Sequence, residues 1–469
     1  MSSEDEQPNI LFVCTDQERY DLTAPDGRSV DTPASDRLAR EGLRCTRAYT
    51  PTAICSPARA SILTGLYPHN HGLLSNPTRR NLPTGLPDAT PTFGHRLSDV
   101  GYRTSLTGKW HIEGTTPEEA GFERLTGWDH SRDQTLDTED YREFVRDQGI
   151  DPTAVTVEED GAPGYAGVTS LPPKATQTAY LVDRTIERLE RYAASGDRFC
   201  HRLDFPGPHL PYVVPASYAE RYDPDDIDPW PSFAETFDGK PAIHEIHPEY
   251  YGCEGLDWDD WAPAVARYFA FQSLIEDQLD WLLTAMDELG LTENTLVVRT
   301  ADHGDFAGAH RQLDKGPMMY EDIYRVPLFV RWPGVVEPGR TEDSFVELQD
   351  LMPTFCDVAG TDVPDTDGRS LVAMFEGKCH RDAAFAEYHG EPETLYTQRM
   401  VRTERFKFVF NGPDRNELYD LREDPHELIN IADHPEYEDE RRSLARRLGK
   451  WMQATDDNVS VERYRRRCC

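Results

Sequence analysis

The sequence predicts an α/β fold, and two observations lead to this prediction. Short apolar runs that are typical of buried parallel strands alternate with amphipathic stretches of helical period along most of the chain. Polar and charged residues stand directly after some of these runs, and open α/β sheets bind ligands beyond the carboxyl ends of their strands. A chain of 469 residues has room for two or three domains, or for one large α/β domain with a smaller partner.

The pattern of apolar residues places the individual elements. Strands are predicted at Asn9–Thr15, Tyr102–Thr107, Phe199–Phe205 and Leu296–Thr300. Helices are predicted at Thr32–Gly42, Ala58–Leu63, Gln177–Ala194 and Val265–Leu289. Two polar stretches, Glu113–Lys174 and Pro206–Asp260, predict loops and short helices, and Pro206 is expected to end the strand before it.

The pattern changes towards the carboxyl end of the chain. Two short strands, Met400–Arg402 and Phe406–Phe410, are predicted to form a hairpin. A third strand at Leu418–Asp420 and a helix at Glu438–Met452 follow. We therefore predict a large domain over residues 1–375, which carries all the candidate site residues described below, and a small α+β domain over residues 376–469.

The charge of the chain limits its partners. The net charge is −36, from 85 acidic and 49 basic residues, which argues against binding to nucleic acid or to an anionic membrane. Only seven of the basic residues are lysine, and this composition resembles that of proteins from salt-loving microbes. At molar salt the Debye length is about 3 Å, so the acidic surface would not repel a small anionic substrate from a distance.

No targeting or membrane segment is predicted. No run reaches the roughly 18 apolar residues that a membrane span needs. The amino-terminal residues are acidic and lack the basic and apolar regions of a signal peptide, so a cytoplasmic location is expected. The nine cysteines are odd in number and irregularly spaced, which argues against a disulfide framework.

One cysteine stands in a distinctive segment, Ala53–Gly65, which reads AICSPARASILTG. Cys55 precedes Pro57 and a predicted helix start, and the amino end of a helix favours an anion. Arg59 lies one turn further along and would face the same side. The residue types alone leave open that Cys55 is an ordinary buried structural cysteine.

This segment resembles the C-x-P-x-R signature of the type I, formylglycine-dependent sulfatases, and every position through Gly65 fits. In that family a separate enzyme oxidises the cysteine to an aldehyde, which hydrates to a diol. One hydroxyl attacks sulfur and the other later expels sulfate. The resemblance implies that Cys55 becomes formylglycine and acts as the nucleophile, with a formylglycine-generating enzyme as a partner.

Two further segments contain candidate metal ligands. Asp16 follows the first predicted strand, where a carboxylate suits a hard cation, although a helix N-cap is the alternative. Asp302 and His303 follow the predicted strand at Leu296–Thr300. The resemblance implies that these three residues and modified residue 55 hold one divalent cation, calcium or alternatively manganese. The family usually has two adjacent aspartates where this chain has Asp16 and Gln17, so a ligand role for Gln17 stays open.

The remaining candidates are basic residues in three segments. Lys109 and His111, in GYRTSLTGKWH, resemble the second family signature, which implies that Lys109 holds diol and sulfate oxygens and that His111 lies beside the nucleophile. His209, in PGPHLPY, matches the histidine that protonates the leaving oxygen. Lys315 aligns with the lysine that contacts the sulfuryl group. Arg59, Lys109 and Lys315 would supply fixed positive charge in the transition state.

The resemblance extends over nearly the whole chain and implies an alkaline-phosphatase-like fold. That fold has a large mixed sheet between helices and a small antiparallel sheet near the carboxyl end. The implied reaction is hydrolysis of a small sulfate monoester, whose organic part is not predicted. Gln17 and His303 keep open a phosphonate monoester or phosphodiester hydrolase with the same site. A non-catalytic, sulfatase-like binding protein in which Cys55 is never oxidised is the third hypothesis.

Overall fold

The computed structural model describes residues 7–25, 27–76, 82–128, 138–160, 164–390, 396–412, 414–457, 459 and 464. The first six residues, which bear on the expectation that no leader segment is present, lie outside these ranges. Among the residues described, no helix combines the length and the apolar character that crossing a membrane requires.

The described part of the chain contains sixteen strands. In chain order they are β1 (Asn9–Asp16), β2 (Leu43–Tyr49), β3 (Arg103–Lys109), β4 (Glu123–Trp128), β5 (Val157–Glu159), β6 (Ala166–Thr169), β7 (Phe199–Pro208), β8 (Tyr212–Pro215), β9 (Thr295–Ala301), β10 (Arg325–Arg331), β11 (Arg340–Glu342), β12 (Val346–Glu347), β13 (Ala383–Tyr388), β14 (Gln398–Thr403), β15 (Phe406–Phe410) and β16 (Glu417–Asp420).

The same residues contain thirteen α-helices. They are α1 (Pro33–Glu41), α2 (Cys55–Thr64), α3 (Pro68–His71), α4 (Phe93–Asp99), α5 (Glu139–Asp147), α6 (Gln177–Ser195), α7 (Ala216–Ala219), α8 (Ala242–Tyr251), α9 (Trp258–Glu288), α10 (Glu321–Tyr324), α11 (Leu351–Ala359), α12 (Val372–Phe375) and α13 (Glu438–Ala454).

Nine strands form one mixed sheet at the centre of the molecule. Their order is β11-β2-β10-β9-β1-β7-β3-β4, and β12 also pairs with β2. The strands from β9 to β4 run parallel to one another. Strand β10 is antiparallel to both of its neighbours. This arrangement confirms the large mixed sheet that the family resemblance predicts.

Helices cover both faces of this sheet. Ile10 and Phe12 of β1 pack into one apolar core, together with Phe93 of α4 and Phe355 of α11. The intervening residues, Leu11 and Val13, pack into a second core that is lined by α1, α6 and α9. A strand that is buried on both sides needs apolar residues at every position, which explains the continuous apolar run of β1.

Two polar stretches contain more regular structure than the sequence predicts. The stretch Glu113–Lys174 contributes β4 at the edge of the main sheet, and β5 and β6 form a small sheet with β8. Pro206 does not end β7, which continues to Pro208. The pairing between β1 and β7 shifts register after Cys14, so residues 205–207 are outside the ladder and proline's missing N–H is tolerated there.

Helix α9 begins earlier than the predicted residue, Val265. Asp257 and Asp260 form a capping box at its start, which satisfies the first backbone N–H groups of the helix. Pro263 lies inside the helix, close to its amino end. The local start signal therefore outweighs the helix-breaking tendency of the proline.

The carboxyl-terminal part contains the three strands and the helix that the sequence predicts, and β13 is an additional strand that was not predicted. Strands β13 to β16 form an antiparallel sheet in sequence order, and β14 and β15 make the expected hairpin. Helix α13 packs on this sheet through Leu448 and Met452, against Phe408 and Leu418. The boundary between residues 375 and 376 stays a prediction.

Candidate active site

Four neighbouring parallel strands bring the candidate residues to one edge of the main sheet. Asp16 is the last residue of β1, and Lys109 is the last residue of β3. Asp302 and His303 directly follow β9, and His209 directly follows β7. Because β9, β1, β7 and β3 are adjacent and parallel, their carboxyl ends meet at the same edge, where such sheets bind ligands.

Helix α2 supplies the remaining candidates. It begins at Cys55, two residues before Pro57, and so earlier than the sequence predicts. All ten of its residues are buried. Arg59, one turn along the helix, donates from Nε to Asp302 Oδ2 and from Nη1 to Asp204 Oδ1, both at 2.9 Å. The helix therefore fixes the cysteine and the arginine together against the strand ends.

Four of the predicted residues converge on one point. One ligand atom from each of Asp16, Cys55, Asp302 and His303 lies within 4.8 Å of the other three. The ring Nδ1 of His303 donates to the carbonyl oxygen of Gly304 at 2.8 Å, so Nε2 carries the lone pair. Nε2 lies 3.1 Å from Cys55 Sγ and 3.7 Å from Oδ1 of each aspartate.

The donor set fits a divalent cation. Asp16 Oδ1 is buried and has no hydrogen-bond partner among the described residues. A buried carboxylate oxygen without a partner costs about 1–3 kcal/mol or more. Two carboxylates and one imidazole lone pair that point at the same place are typical of a site for a hard or borderline metal ion. These residues can therefore hold such an ion.

Three buried cations surround this group. Lys109 forms an ion pair with Asp16. Lys315 Nζ contacts Asp314 Oδ1 at 2.8 Å and Gln17 Oε1 at 2.9 Å, and it also reaches the His209 ring. Arg59 has one terminal nitrogen, Nη2, with no partner among the described residues. Fixed cations beside a metal-type donor set suit an anionic substrate.

Comparison with known proteins decides the family. Residues 8–361 match the family model described as Sulfatase. The chain belongs to the sulfatase family. Residues 308–454 also match the model described as N-sulphoglucosamine sulphohydrolase, C-terminal.

Relatives of this sulfatase-family chain span nearly its whole length. It is 29% identical to a choline-sulfatase from Rhizobium meliloti, over 98% of this chain and 90% of that protein. It is 28% identical to an arylsulfatase from Clostridium perfringens, over 98% of both. Among solved structures, a phosphonate monoester hydrolase from Agrobacterium radiobacter superposes with a TM-score of 0.81 at 26% identity, and 96% of each chain is covered. These matches confirm the predicted family and its alkaline-phosphatase-like fold.

Electrostatic effects in the candidate site separate the ionised groups from the neutral ones. Burial opposes ionisation of Asp16, but the adjacent Lys109 ammonium and further positive charge, including that of Arg59, together outweigh it and hold the pKa of the carboxyl well below its usual range. Burial, followed by the Asp16 carboxylate, raises the pKa of the Cys55 thiol to about 12. At neutral pH, Asp16 is therefore a carboxylate, while Cys55 is a protonated thiol and a poor nucleophile.

Both candidate histidines beside the lysines are neutral. The ring Nδ1 of His209 donates to the carbonyl oxygen of Leu210 at 2.7 Å, and Nε2 accepts from Lys315 at 3.1 Å. Burial and the Lys315 charge lower the pKa of His209 to about 3. Burial and Lys109 likewise hold the pKa of His111 well below its usual range. The predicted proton donor thus carries no spare proton on Nε2 in this state.

Several residues that hold the site in place are not among the sequence-predicted ones. Asp204 accepts from Arg59 and from Arg202 inside β7. Asp305 and Asp314 hold Gln17 and Lys315 respectively. Asp204 could have been found from the sequence, because it is a charged residue inside a predicted buried strand. Such residues are rarely buried without a charged partner.

A second buried group, His69, Glu387 and Asp457, also has the spacing of metal ligands. Arg399 donates to both carboxylate oxygens of Asp457, at 2.5 and 2.9 Å. Both ring nitrogens of His69 face oxygen acceptors. This group is therefore an internally neutralised ion-pair network that joins α3 to the carboxyl-terminal residues.

Proposed function

We propose that this sulfatase-family protein hydrolyses a small sulfate monoester to an alcohol and inorganic sulfate. The single observation that carries the proposal is the position of Cys55. Its Sγ lies 3.1 Å from His303 Nε2, inside the group formed with Asp16 and Asp302. A family nucleophile beside a metal-type donor set and three buried cations is what transfer of a sulfuryl group requires.

The nucleophile is proposed to be formylglycine at position 55. A thiol whose pKa is about 12 is almost entirely protonated at neutral pH, so it would attack a sulfate ester slowly. Oxidation to an aldehyde, which hydrates to a diol, replaces the thiol by hydroxyl nucleophiles. The partner that performs the oxidation is a formylglycine-generating enzyme.

Asp16, Asp302, His303 and an oxygen of modified residue 55 would hold one divalent cation. We propose calcium, because the ligands are mostly oxygen, with manganese as the alternative. The ion would lower the pKa of a bound hydroxyl and offset negative charge on the sulfate oxygens.

The chain's own cations would bind and orient the sulfate group. Arg59 is held by two carboxylates and has Nη2 without a partner among the described residues, so it need not rearrange when the substrate arrives. Lys315 is held by Asp314 and Gln17, and its third N–H, which faces His209 Nε2, would turn to the sulfate. Lys109 would hold diol and sulfate oxygens next to Asp16. Loss of one preorganised donor of this kind typically costs about 10²–10³ in rate.

His209 would protonate the leaving oxygen, and His111 would lie beside the nucleophile. In the free protein His209 is neutral, because burial and Lys315 disfavour the imidazolium form. A substrate anion adds negative charge close to the ring, which raises the pKa of the imidazole and favours its protonation. We therefore expect proton uptake to accompany substrate binding.

The test is mass spectrometry of the peptide that contains residue 55, combined with turnover of an aryl sulfate. We expect the aldehyde in protein from the native host, and loss of turnover in Cys55→Ala. Turnover by protein in which residue 55 is an unmodified thiol would contradict the mechanism. An unmodified Cys55 thiol in protein from the native host, together with a Cys55→Ala variant that binds a sulfated glycan as the wild type does, would favour the binding-protein hypothesis.

Hydrolysis of a phosphonate monoester or a phosphodiester is the second candidate. It is favoured by the similarity to the Agrobacterium radiobacter phosphonate monoester hydrolase over 96% of the chain, and by Gln17 after Asp16. Rates on aryl sulfate and aryl phosphonate, each measured with calcium and with manganese, separate the two. A higher kcat/KM on the phosphonate with manganese would make this the main activity.

A further inference from the structure

Asp305 has a buried carboxyl group whose hydrogen-bond partners are all uncharged donors. Its Oδ2 accepts from Gln17 Nε2 and from the Tyr212 hydroxyl, both at 2.7 Å. Its Oδ1 accepts from the Ala307 backbone N–H at 2.8 Å. Burying a carboxylate beside neutral donors is costly in free energy, so the group calls for a reason beyond packing.

Asp305 determines which way round the Gln17 side chain lies. An amide presents an oxygen on one side and an NH₂ on the other, and the two are similar in shape. Here Nε2 faces Asp305, while Oε1 accepts from Lys315 at 2.9 Å. Oδ2 of Asp305 accepts two hydrogen bonds, from Gln17 and Tyr212, and an ammonium can only donate, so the amide has one favourable orientation between the two groups.

The backbone of Gln17 is fixed as firmly as its side chain. It has a φ of 67°, which is uncommon for a residue with a side chain. Its N–H donates to Asp302 Oδ1 at 3.1 Å, and its carbonyl oxygen accepts from the Tyr268 hydroxyl at 2.9 Å. Such strain persists where surrounding contacts enforce it, and these places are often functional sites.

Gln17 in turn takes one of the three donor positions of Lys315. The other two face Asp314 Oδ1 at 2.8 Å and His209 Nε2 at 3.1 Å. If the amide were reversed, its NH₂ would face the ammonium, and two donors would repel each other. Lys315 would then lose one of its three contacts.

We propose that Asp305 is a positioning residue that holds the Gln17 amide oxygen towards Lys315 and so sets where the charge of that lysine lies. The inference deepens the proposed function and rests on it for the role of Lys315 towards the sulfate. Asp305 acts through Gln17 and need not touch the substrate.

The decisive variant is Asp305→Asn. The Ala307 N–H holds the oxygen of the new amide, so its NH₂ takes the place of Oδ2 and faces the NH₂ of Gln17. The side-chain amide of Gln17 then reverses its orientation, and its NH₂ faces the Lys315 ammonium. Mutation of a group that orients a metal ligand typically lowers metal affinity or activity about 10–100-fold. We expect a loss in kcat/KM of the same size in Asp305→Asn.

The reciprocal double variant tests polarity directly. In the Gln17→Glu, Asp305→Asn protein, the new amide NH₂ at position 305 would donate to one carboxylate oxygen of residue 17, and the other oxygen would accept from Lys315. We expect this protein to recover at least about tenfold in kcat/KM over Asp305→Asn, although Gln17→Glu alone sets two carboxylates face to face. If kcat/KM of the double variant falls by the product of the losses in the two single variants, the proposal is overturned.

Crystal structures of the same variants give a readout that does not depend on turnover. In Asp305→Asn we expect Lys315 Nζ to move beyond hydrogen-bond distance of residue 17, and in the double variant we expect the contact to return. An unchanged contact in Asp305→Asn contradicts the inference even if the wild type hydrolyses no ester. Absence of wild-type turnover with the expected displacement contradicts the proposed function alone.

Tyr212→Phe is the matched control, because it removes the other donor to Oδ2 and keeps Asp305 and Gln17. We expect its kcat/KM to stay within about threefold of the wild type. A loss as large as that of Asp305→Asn would mean that the pocket simply tolerates no change. If Asp305→Asn folds poorly, the melting temperatures of the variants are compared instead. The double variant should have a higher melting temperature than Asp305→Asn, and an equal or lower one contradicts the proposal.

Discussion

Among the residues that the structure describes, two clusters of histidine and carboxylates have the spacing of metal ligands, and they differ in how their charges are satisfied. In the candidate-site cluster, His303 donates from Nδ1 to a backbone carbonyl, so Nε2 keeps its lone pair, which faces the Cys55 thiol at 3.1 Å. In the other cluster, His69 Nδ1 faces Glu387 Oε2 at 2.5 Å and Nε2 faces the Thr455 carbonyl at 2.9 Å. Because both partners can only accept, both nitrogens of His69 carry protons.

The carboxylates show the same contrast. Asp16 has one oxygen with no partner among the described residues, whereas Asp457 receives two bonds from one guanidinium group, that of Arg399. A cluster that satisfies itself internally has no affinity left for a ligand. Metal-ligand spacing alone therefore does not identify a metal site. Ligand atoms whose lone pairs have no partner within the protein distinguish a binding site from a structural network.

The largest effect is expected when one carboxylate of each cluster is replaced by an amide. Asp16→Asn should lower kcat/KM by about 10³-fold, because the site loses a metal ligand and the counter-ion of Lys109. Asp457→Asn should leave kcat/KM within about threefold but lower stability by about 3 kcal/mol, since Arg399 loses its charged partner. Steady-state kinetics and thermal unfolding measure both, and equal losses of activity would remove the distinction.

The second prediction concerns the cations. Lys315→Ala should lower kcat/KM by about 10²–10³-fold, because one preorganised charge that faces the sulfate is lost. Lys315→Arg keeps the charge but not the compact ammonium, so its activity should fall between the two. In the other cluster, Arg399→Lys should change the melting temperature and not kcat. An active Lys315→Ala protein would rule out the proposed role of that lysine.

The third prediction is the effect of metal removal on stability. An ion that binds only the folded state at 100 times its dissociation constant adds about 2.7 kcal/mol, so a chelator should lower the melting temperature of the wild type. Asp457→Asn should respond to the chelator as the wild type does, and Asp16→Asn should respond much less. If a chelator has no effect on the wild type, the cluster around His303 is not a metal site.

The smallest expected effect is a pH dependence of stability that comes from His69. Burial disfavours its imidazolium form, but the hydrogen bond to Glu387, the charge of Glu387 and the hydrogen bond to the Thr455 carbonyl together outweigh burial and raise the pKa of His69. A raised folded-state pKa contributes stability that is complete below the unfolded value of about 6.5 and is lost as pH rises through the folded value. Melting temperatures of wild type and His69→Gln should therefore differ most at acidic pH and converge in alkali. A constant difference would show that His69 does not titrate there.

The sequence predicts the residues that the fold brings together at the candidate site better than the residues that hold them in place. Asp16, Lys109, Asp302 and His303 could be placed together because each stands at the end of a predicted strand. Cys55 was found through its local signature. The chemistry of these positions depends on residue type and on strand ends, which are both local properties.

The supporting contacts could not be predicted because they join distant parts of the chain. Gln17 and Asp302 are 285 positions apart, as the hydrogen bond between them shows, and Gln17 and Asp305 are 288 apart. Nothing in a local pattern pairs such residues. The neutral state of His209 likewise depends on its burial and on the approach of Lys315, which are visible only in the fold. Strand β4, at the edge of the sheet, was missed because its sequence, ERLTGW, contains no continuous apolar run.

The position of Cys55 limits when it can be converted. Its side chain is only 1% exposed, and it lies in a helix whose residues are all buried, so a separate enzyme cannot reach the sulfur in the finished fold. Under the proposed chemistry, oxidation must occur on the growing or still-open polypeptide. Pairing strands that are far apart in sequence is slow, and this delay leaves time for the modifying enzyme. A host that lacks that enzyme would yield a well-folded but permanently inactive product, which later exposure to the enzyme could not rescue.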